Sequence, residues 1–331
     1  MKILFIGGTG IISSACSREA LARGMELTLL NRGTSVRPIP EGARTITADY
    51  RNPQSVEAAL GNLTFDAVVD WIAYTPDQVK QDLTWFKQRA GQYIFISSAS
   101  AYQTPPTSLP VRESTILDNP YWEYSRNKIA CEGLLVDAYR AEKYPITIVR
   151  PSHTYDETLL PFHGGWTMMD RMLKGQPVIV HGDGTSLWTL THHDDFARGF
   201  IGLLGNSHAI GQAVHITSDE WLNWNQIYEL LAAAIGVTPH LVHVPSELIR
   251  AYDPAWGDSL VGDKSASMVF DNSLIKSLVP DYCARIPFSL GARQIAAWYL
   301  ADPTRQKVDP VFNELIDRIL TGYQKAWPSS Q

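Results

Sequence analysis

The sequence predicts an α/β protein, with a doubly wound parallel sheet followed by a smaller C-terminal α/β domain. Three observations carry this. An apolar strand runs straight into a glycine turn and a helix at the N-terminus; apolar strands and amphipathic helices alternate as far as residue 151; and a Tyr-x-x-x-Lys pair stands on the helix before the last of those strands.

The opening strand is Ile3, Leu4, Phe5 and Ile6, a nearly uninterrupted apolar run that suits burial on both faces better than one wet side. Gly7 turns the chain, and Gly10 leaves no side chain where a diphosphate approaches the backbone. Ser13, with Ala15 and Cys16 behind it, opens a small-residue helix whose first N–H groups face an anion. Thr9, Ile11 and Ile12 lie on the same turn and join the expected cofactor contacts. The spacing Gly7-x-x-Gly10-x-x-Ser13 lacks one of the three glycines of the usual pattern.

Arg23-Gly24 stops that helix, and Glu26 to Leu30 supplies a second strand that ends in Asn31-Arg32-Gly33. In folds that prefer NAD, a carboxylate about 20 residues past the glycines bonds the ribose 2′-hydroxyl. Asn31 is neutral and Arg32 cationic, so a 2′-phosphate is attracted and NADP is favoured over NAD; the competing view makes Arg32 a solvated loop charge. Thr45 to Ala48 reads as a third strand, with Asp49 at its end placed to bond the adenine amino group and Tyr50 beside it. A helix starting at Pro53 crosses to a fourth strand, Phe65 to Asp70, which leads into Trp71-Ile72-Ala73-Tyr74. Small Ala73 lets the backbone lie close to the cofactor, with Ile72 and Tyr74 on either side.

Tyr93 to Ser97 is a fifth apolar strand. Function collects beyond the carboxyl ends of strands in an open parallel sheet, where Ser97, Ser98 and Ser100 fall, although serines there also serve as turns and caps. The segment from Tyr121 to Ala138 has helical apolar spacing and places Tyr124 and Lys128 on one face. An ammonium beside a phenol stabilises the phenolate, so Tyr124 is expected to titrate below the ordinary value of about 10 and to act as a base near neutrality.

Gly-Gly-Thr-Gly-Ile-Ile-Ser at 7–13, Ser98 four before Tyr102, Tyr124-Ser-Arg-Asn-Lys128 and Ile148-Val149-Arg150-Pro151 together resemble the extended short-chain dehydrogenases/reductases, the NAD-dependent epimerase/dehydratase group. The resemblance covers most of the chain and is most specific over residues 1–151. It implies a Rossmann-type sheet, Ser98, Tyr124 and Lys128 as the catalytic set, and Lys128 as the holder of the nicotinamide ribose. It also brings Pro151 and His153 into the expected cofactor contacts and implies a homodimer formed through the Tyr-x-x-x-Lys helix and its predecessor.

Three departures narrow the chemistry. Dehydratases of the group usually carry an acidic pair where Ala99 and Ser100 stand, so dehydration is not expected. His153 takes the place of a substrate-contacting Asn, and Trp188, after Gly182-Asp183-Gly184, that of an arginine which holds the diphosphate of sugar nucleotides. An indole cannot replace a guanidinium's fork of donors, which favours a smaller or less anionic hydroxy or keto compound. The Gly-Asp-Gly turn and His192 before Asp195 also resemble the chloroplast stem-loop-binding relatives, which bind RNA.

Beyond Ser152, Tyr155, Leu160, Phe162, His163, Trp166, Met168 and Met169 crowd one segment. Several are expected to wall the substrate pocket, with core packing as the alternative. The candidate substrate contacts are Ser98, Ser100, His153, Tyr155, Trp166 and Trp188. His192-His193-Asp194-Asp195 suggests a metal, but neighbours on a strand point apart and Asp194 or Asp195 suits a helix N-cap, so no metal is expected. Val214 to Thr217 reads as a returning strand, Trp224 to Ile235 as a helix, and Asp253 to Lys264 as a long loop able to cover the pocket. A last helix from Asp309-Pro310 docks through a stripe of Val311, Phe312, Leu315, Ile316, Ile319, Leu320 and Tyr323. The chain thus divides into a dinucleotide-binding domain, 1–151 and 193–217, and a substrate domain, 152–192 and 218–331.

Composition bounds the function. Of 331 residues, 45% are hydrophobic and 19% charged, with no biased tract, so a packed protein is expected rather than a disordered one. A formal charge of −6 offers no basic footprint for nucleic acid or an anionic membrane. The three cysteines lack metal-ligand spacing, and there is no apolar leader or run of spanning length, so a reduced, cytoplasmic protein is expected. The expected function is an NADP- or NAD-dependent oxidoreductase acting on a hydroxyl/ketone carbon of a sugar-like or small carbonyl substrate. An epimerase using the same Ser–Tyr–Lys set is the alternative, and an RNA-binding or regulatory protein that keeps the fold is the alternative from another class.

Overall fold

The computed structural model describes residues 1–326. Strands β1 (Lys2–Ile6), β2 (Glu26–Asn31), β3 (Arg44–Thr47), β4 (Ala67–Asp70), β5 (Tyr93–Ile96) and β6 (Ile146–Pro151) join the strand Ala213–Ile216 in one seven-stranded sheet. Its order is Ala213–Ile216, β6, β5, β4, β1, β2, β3, and every pairing is parallel. The chain runs outward from β1 in one direction and returns to build the other half, so the crevice between β1 and β4 is the switch point where such sheets bind ligands.

Alternation along the strands explains the burial on both faces. Ile3, Phe5, Leu29, Val69 and Ile94 pack with Ala15, Cys16 and Ala20 of helix α1 (Ile11–Ala22) and with Phe196 and Phe200 of the helix His193–Ile201. Leu4, Ile6, Val68, Tyr93 and Phe95 face helices α2 (Pro53–Leu60), α3 (Pro76–Phe86) and α4 (Glu123–Glu142), which contribute Val56, Val79, Phe86, Cys131 and Leu135.

The remaining residues form a second core against the carboxyl edge of the sheet. It is largely helical, built from Trp166–Leu173, Trp224–Ala234, Phe288–Leu300 and Pro310–Lys325. Short two-stranded ladders stitch it together, of which the parallel pair Pro177–His181 and His240–Val244 is the longest.

Three local expectations change. Residues 253–264 are not a loop: Asp253 accepts the Trp256 N–H at 3.0 Å, Pro254 starts a helix to Ser259, and a π-helical turn follows over Leu260–Lys264. Asp-Pro is a strong helix start, and it outweighs the glycine and proline content that suggested a loop. His192, rather than Asp194 or Asp195, caps the helix His193–Ile201, its Nδ1 accepting the Asp194 N–H at 3.2 Å. Val311 is 77% exposed, while Phe312, Ile316 and Ile319 form the docked stripe. Among the described residues, no helix is long and apolar enough to cross a membrane.

Candidate active site

Gly7 and Gly8 both adopt positive φ, at +98° and +99°, in the turn between β1 and α1. A Cβ on Gly8 would stand 2.6 Å from Leu29 Cδ2, so this position, which the spacing did not single out, is as constrained as Gly7. Its signal was the Gly-Gly dipeptide. Ser13 stands where the third glycine would be; it is buried, and its Oγ accepts the Gly10 N–H at 2.8 Å. The Ile11 and Ile12 N–H groups at the helix start have no intrahelical acceptor and offer an anion site.

A groove of about 420 Å³ extends from this turn, lined in part by Gly7, Thr9, Asn31, Arg32, Tyr50 and Ile72. The glycine cradle, the free helix start and this groove fit a dinucleotide. Asn31 Oδ1 accepts the Gly33 N–H at 3.0 Å, and exposed Arg32 makes no ion pair among the described residues. Asp49 is exposed at the rim, its carboxylate accepting the Arg51 N–H. Only the ring of Tyr50 serves the groove, because its hydroxyl lies 2.9 Å from both Asp70 Oδ2 and Asp82 Oδ1 in the interior. Burial, reinforced by Asp70, pushes the Asp82 carboxyl well up, so the cluster shares protons rather than stacking charges. Asp70 Oδ1 accepts the N–H groups of Ile72 and Ala73, which fixes the turn; Ala73 is buried, while Ile72 and Tyr74 are exposed.

Beyond β5 the three serines divide the work. Ser97 donates to Glu132, whose carboxylate is gripped by Arg150 through Nε at 2.9 Å and a second nitrogen at 2.5 Å. Ser97 is therefore a structural contact of β5 with α4. Ser98 caps a short 3₁₀ turn, lies 2.9 Å from Ser100 Oγ and is the polar neighbour that lowers the pKa of the Tyr124 phenol, while Ser125 supports Ser100 at 2.8 Å. Lys128, one turn along α4 from Tyr124, donates to the Ala73 and Ile96 carbonyls at 2.7 Å each.

The expected activation of the phenol does not hold in this state. Burial pushes Tyr124 up to about 12; the Ser98 hydroxyl lowers it and Asp263 raises it further. The Lys128 ammonium is committed to two carbonyls, so it does not offset the desolvation of a phenolate. Burial also brings Lys128 down to about 8, opposed chiefly by Asp70.

A cavity of about 290 Å³ is walled by His153, Phe162, His163, Trp224, Trp256 and Lys264 among others; Lys264 Nζ stands 5.8 Å from the Trp122 ring, which in turn packs on Tyr124. Asn119 Nδ2 donates to both the Ser100 and Gly262 carbonyls, at 2.8 and 2.5 Å, and so ties the serine turn to the cavity's π-helical wall. Of the expected pocket segment, Leu160, Phe162, His163 and His153 reach this cavity. Pro151 closes β6 and is buried. Three expected contacts are core residues instead: Tyr155 packs between His192 and Phe288, Trp166 stacks on Tyr299, and Trp188 packs on Trp224. Trp256 and Lys264 come from the stretch 253–264 that was expected to cover the pocket, whereas His181 and Trp224 were not expected there, because nothing local marks them as pocket walls.

His192, His193 and Asp194 bring one ligating atom each within 4.8 Å of one another. Those groups are already engaged: His192 caps its helix, His193 Nδ1 bonds the Ile11 carbonyl at 3.1 Å, and Asp194 pairs with Arg18 at 3.2 Å. A guanidinium on the carboxylate opposes a cation there.

A doubly wound parallel sheet with a glycine turn at its switch point is the architecture of the extended short-chain dehydrogenase/reductase class. The chain belongs to the NAD-dependent epimerase/dehydratase family, whose model matches residues 3–216. It is 27% identical to 2'-dehydrokanamycin reductase of Streptomyces kanamyceticus over 86% of this chain and 81% of that one. It is 26% identical to the chloroplast stem-loop binding protein of 41 kDa b of Arabidopsis thaliana, over 73% of this chain and 65% of that one. A UDP-glucuronic acid 4-epimerase from Bacillus cereus, solved with UDP-glucuronic acid and NAD, shares the fold with a TM-score of 0.73 at 20% identity, over 91% of this chain and 99% of that one.

Proposed function

We propose that the protein is an NADP-preferring oxidoreductase that interconverts a hydroxyl and a ketone on a small or sugar-like substrate. The observation that carries this is buried Lys128 one helical turn from Tyr124, whose phenol pKa the Ser98 hydroxyl lowers, in a fold that has both a glycine-turn groove and an aromatic cavity. Residues 1–151 and 193–217 would hold the dinucleotide, and 152–192 and 218–331 the substrate. The Ile11 and Ile12 N–H groups receive the diphosphate, Arg32 the 2′-phosphate, Asp49 the adenine and Lys128 the nicotinamide ribose. The nicotinamide supplies or accepts the hydride when bound.

Ser98 and Tyr124 hold the substrate oxygen, and Tyr124 moves the proton. A phenol raised to about 12 is neutral at working pH, the form needed to donate a proton to a ketone oxygen as it is reduced. Reduction is accordingly the favoured direction, in line with the reductase among the relatives. A homodimer through α3 and α4 accompanies this reading. Tyr124→Phe is expected to lower NADPH-dependent turnover by about a thousandfold, the range of general acid catalysis, and to leave NADPH affinity nearly unchanged. Undiminished turnover in that variant removes the assignment. Substrate conversion with no net change in nicotinamide absorbance would favour the epimerase, and a salt-dependent RNA shift at physiological ionic strength would favour the RNA-binding alternative.

A further inference from the structure

We infer that the cavity walled by Phe162, Trp224, Trp256 and Lys264 is a subsite for one uncharged hydroxylated ring, a free sugar or cyclitol rather than a nucleotide-linked one. Its role as the substrate's seat rests on the oxidoreductase reading, but its ligand preference follows from the walls alone.

At about 290 Å³ the cavity lies at the floor of the usual range for ligand pockets, roughly 300–1,000 Å³, and matches a single ring better than a sugar nucleotide. Phe162, Trp224 and Trp256 give it broad apolar faces, of the kind on which the C–H face of a ring packs. Within these walls sit polar groups that the protein leaves unpaired. The Trp224 Nε1–H is buried without an acceptor, and the imidazoles of His153 and His163 make no hydrogen bond among the described residues. The buried indole loses about 1–3 kcal/mol relative to a satisfied one, and the two imidazoles, His153 half-buried and His163 exposed, stand free to bond a ligand beside it.

The donor inventory then selects its chemistry. The indole N–H needs an acceptor, and a neutral imidazole needs one donor and one acceptor. Burial holds His153 down at about 3, so it stays neutral at working pH. A hydroxyl group both donates and accepts, and a ring bearing several meets all three residues. Net charge is excluded from both sides. No arginine lines the cavity, and its one cation, Lys264, is already paired with Asp263 at 2.9 Å, so a diphosphate finds no fork of donors. No carboxylate lines it either, so an ammonium finds no partner and meets Lys264.

The test is calorimetric titration of the full-length protein, with and without NADP, using rings of graded charge. The neutral probes are methyl α-glucoside, methyl α-galactoside and myo-inositol; the charged ones are glucosamine, glucose 1-phosphate and UDP-glucose. At least one neutral ring is expected to saturate with a Kd about tenfold or more below every charged probe. Trp224→Phe, which keeps an aromatic wall and removes the N–H, and His153→Phe should each weaken that ring about fivefold or more. Tighter binding of any charged probe, no saturation by any neutral ring, or an unchanged Kd in both variants overturns the inference. Turnover of a ring that binds, compared between the wild type and Tyr124→Phe, reports separately on the oxidoreductase reading.

Discussion

Replacing Arg150 with methionine is expected to destabilise the fold by about 3–5 kcal/mol, the range for stranding one member of a buried ion pair. Arg150 on β6 and Glu132 on α4 are 4% and 2% exposed, and they meet through two guanidinium nitrogens at 2.9 and 2.5 Å. Methionine fills much of the arginine stem but leaves the Glu132 carboxylate with the Ser97 hydroxyl as its side-chain donor. The stranded carboxylate is then buried without a cationic partner, which is the costly arrangement. The double variant Glu132→Gln with Arg150→Met removes the charge and should recover most of the loss, because replacing a buried pair whole is often close to neutral. Urea unfolding followed by circular dichroism at pH 7.5 gives midpoint and slope for the wild type and both variants. A deficit below about 1 kcal/mol at pH 7.5, or a double variant no better than the single one, refutes the view that this pair clamps the Tyr124 helix to the sheet.

Arg32→Ala is expected to raise the Kd for NADPH about tenfold and leave that for NADH unchanged, as read by fluorescence titration; an equal effect on both makes Arg32 a bystander. Gly8→Ala forces a Cβ to 2.6 Å from Leu29 in a positive-φ position, so it should lower the melting temperature and abolish the stabilisation that saturating NADPH gives the wild type. Lys128 is held down at about 8, charged below that pH and neutral above it, so turnover should fall on the alkaline side near pH 8. That limb should move to higher pH in Lys128→Arg, and a profile identical in wild type and variant assigns the limb to another group.

Much of the nucleotide half is legible in sequence because its signals are local. Strand runs such as Ile3–Ile6 and Tyr93–Ile96 are apolar throughout since both faces are covered, and Tyr124 and Lys128 share a helix face by spacing alone. The cavity is another matter. Its walls come from segments near 153–163, 181, 224–228 and 256–264, drawn together partly by the ladder between Pro177–His181 and His240–Val244. An aromatic residue looks the same in sequence whether it lines a pocket, as Trp224 does, or packs behind it, as Trp188 does. The Tyr124 phenol carries the same lesson in electrostatics. Adjacency to Lys128 can be read from spacing, but the burial that raises the phenol and the carbonyls that occupy the ammonium exist only in three dimensions.

The most direct measurement is a crystal structure of the NADP complex. The diphosphate is expected on the Ile11 and Ile12 N–H groups, the nicotinamide ribose on Lys128, and nicotinamide C4 within about 4 Å of a substrate carbon held at the Tyr124 hydroxyl, close to the reacting distance for transfer. A nicotinamide turned away from Tyr124, or a dinucleotide lying outside the glycine-turn groove, would contradict the proposed chemistry.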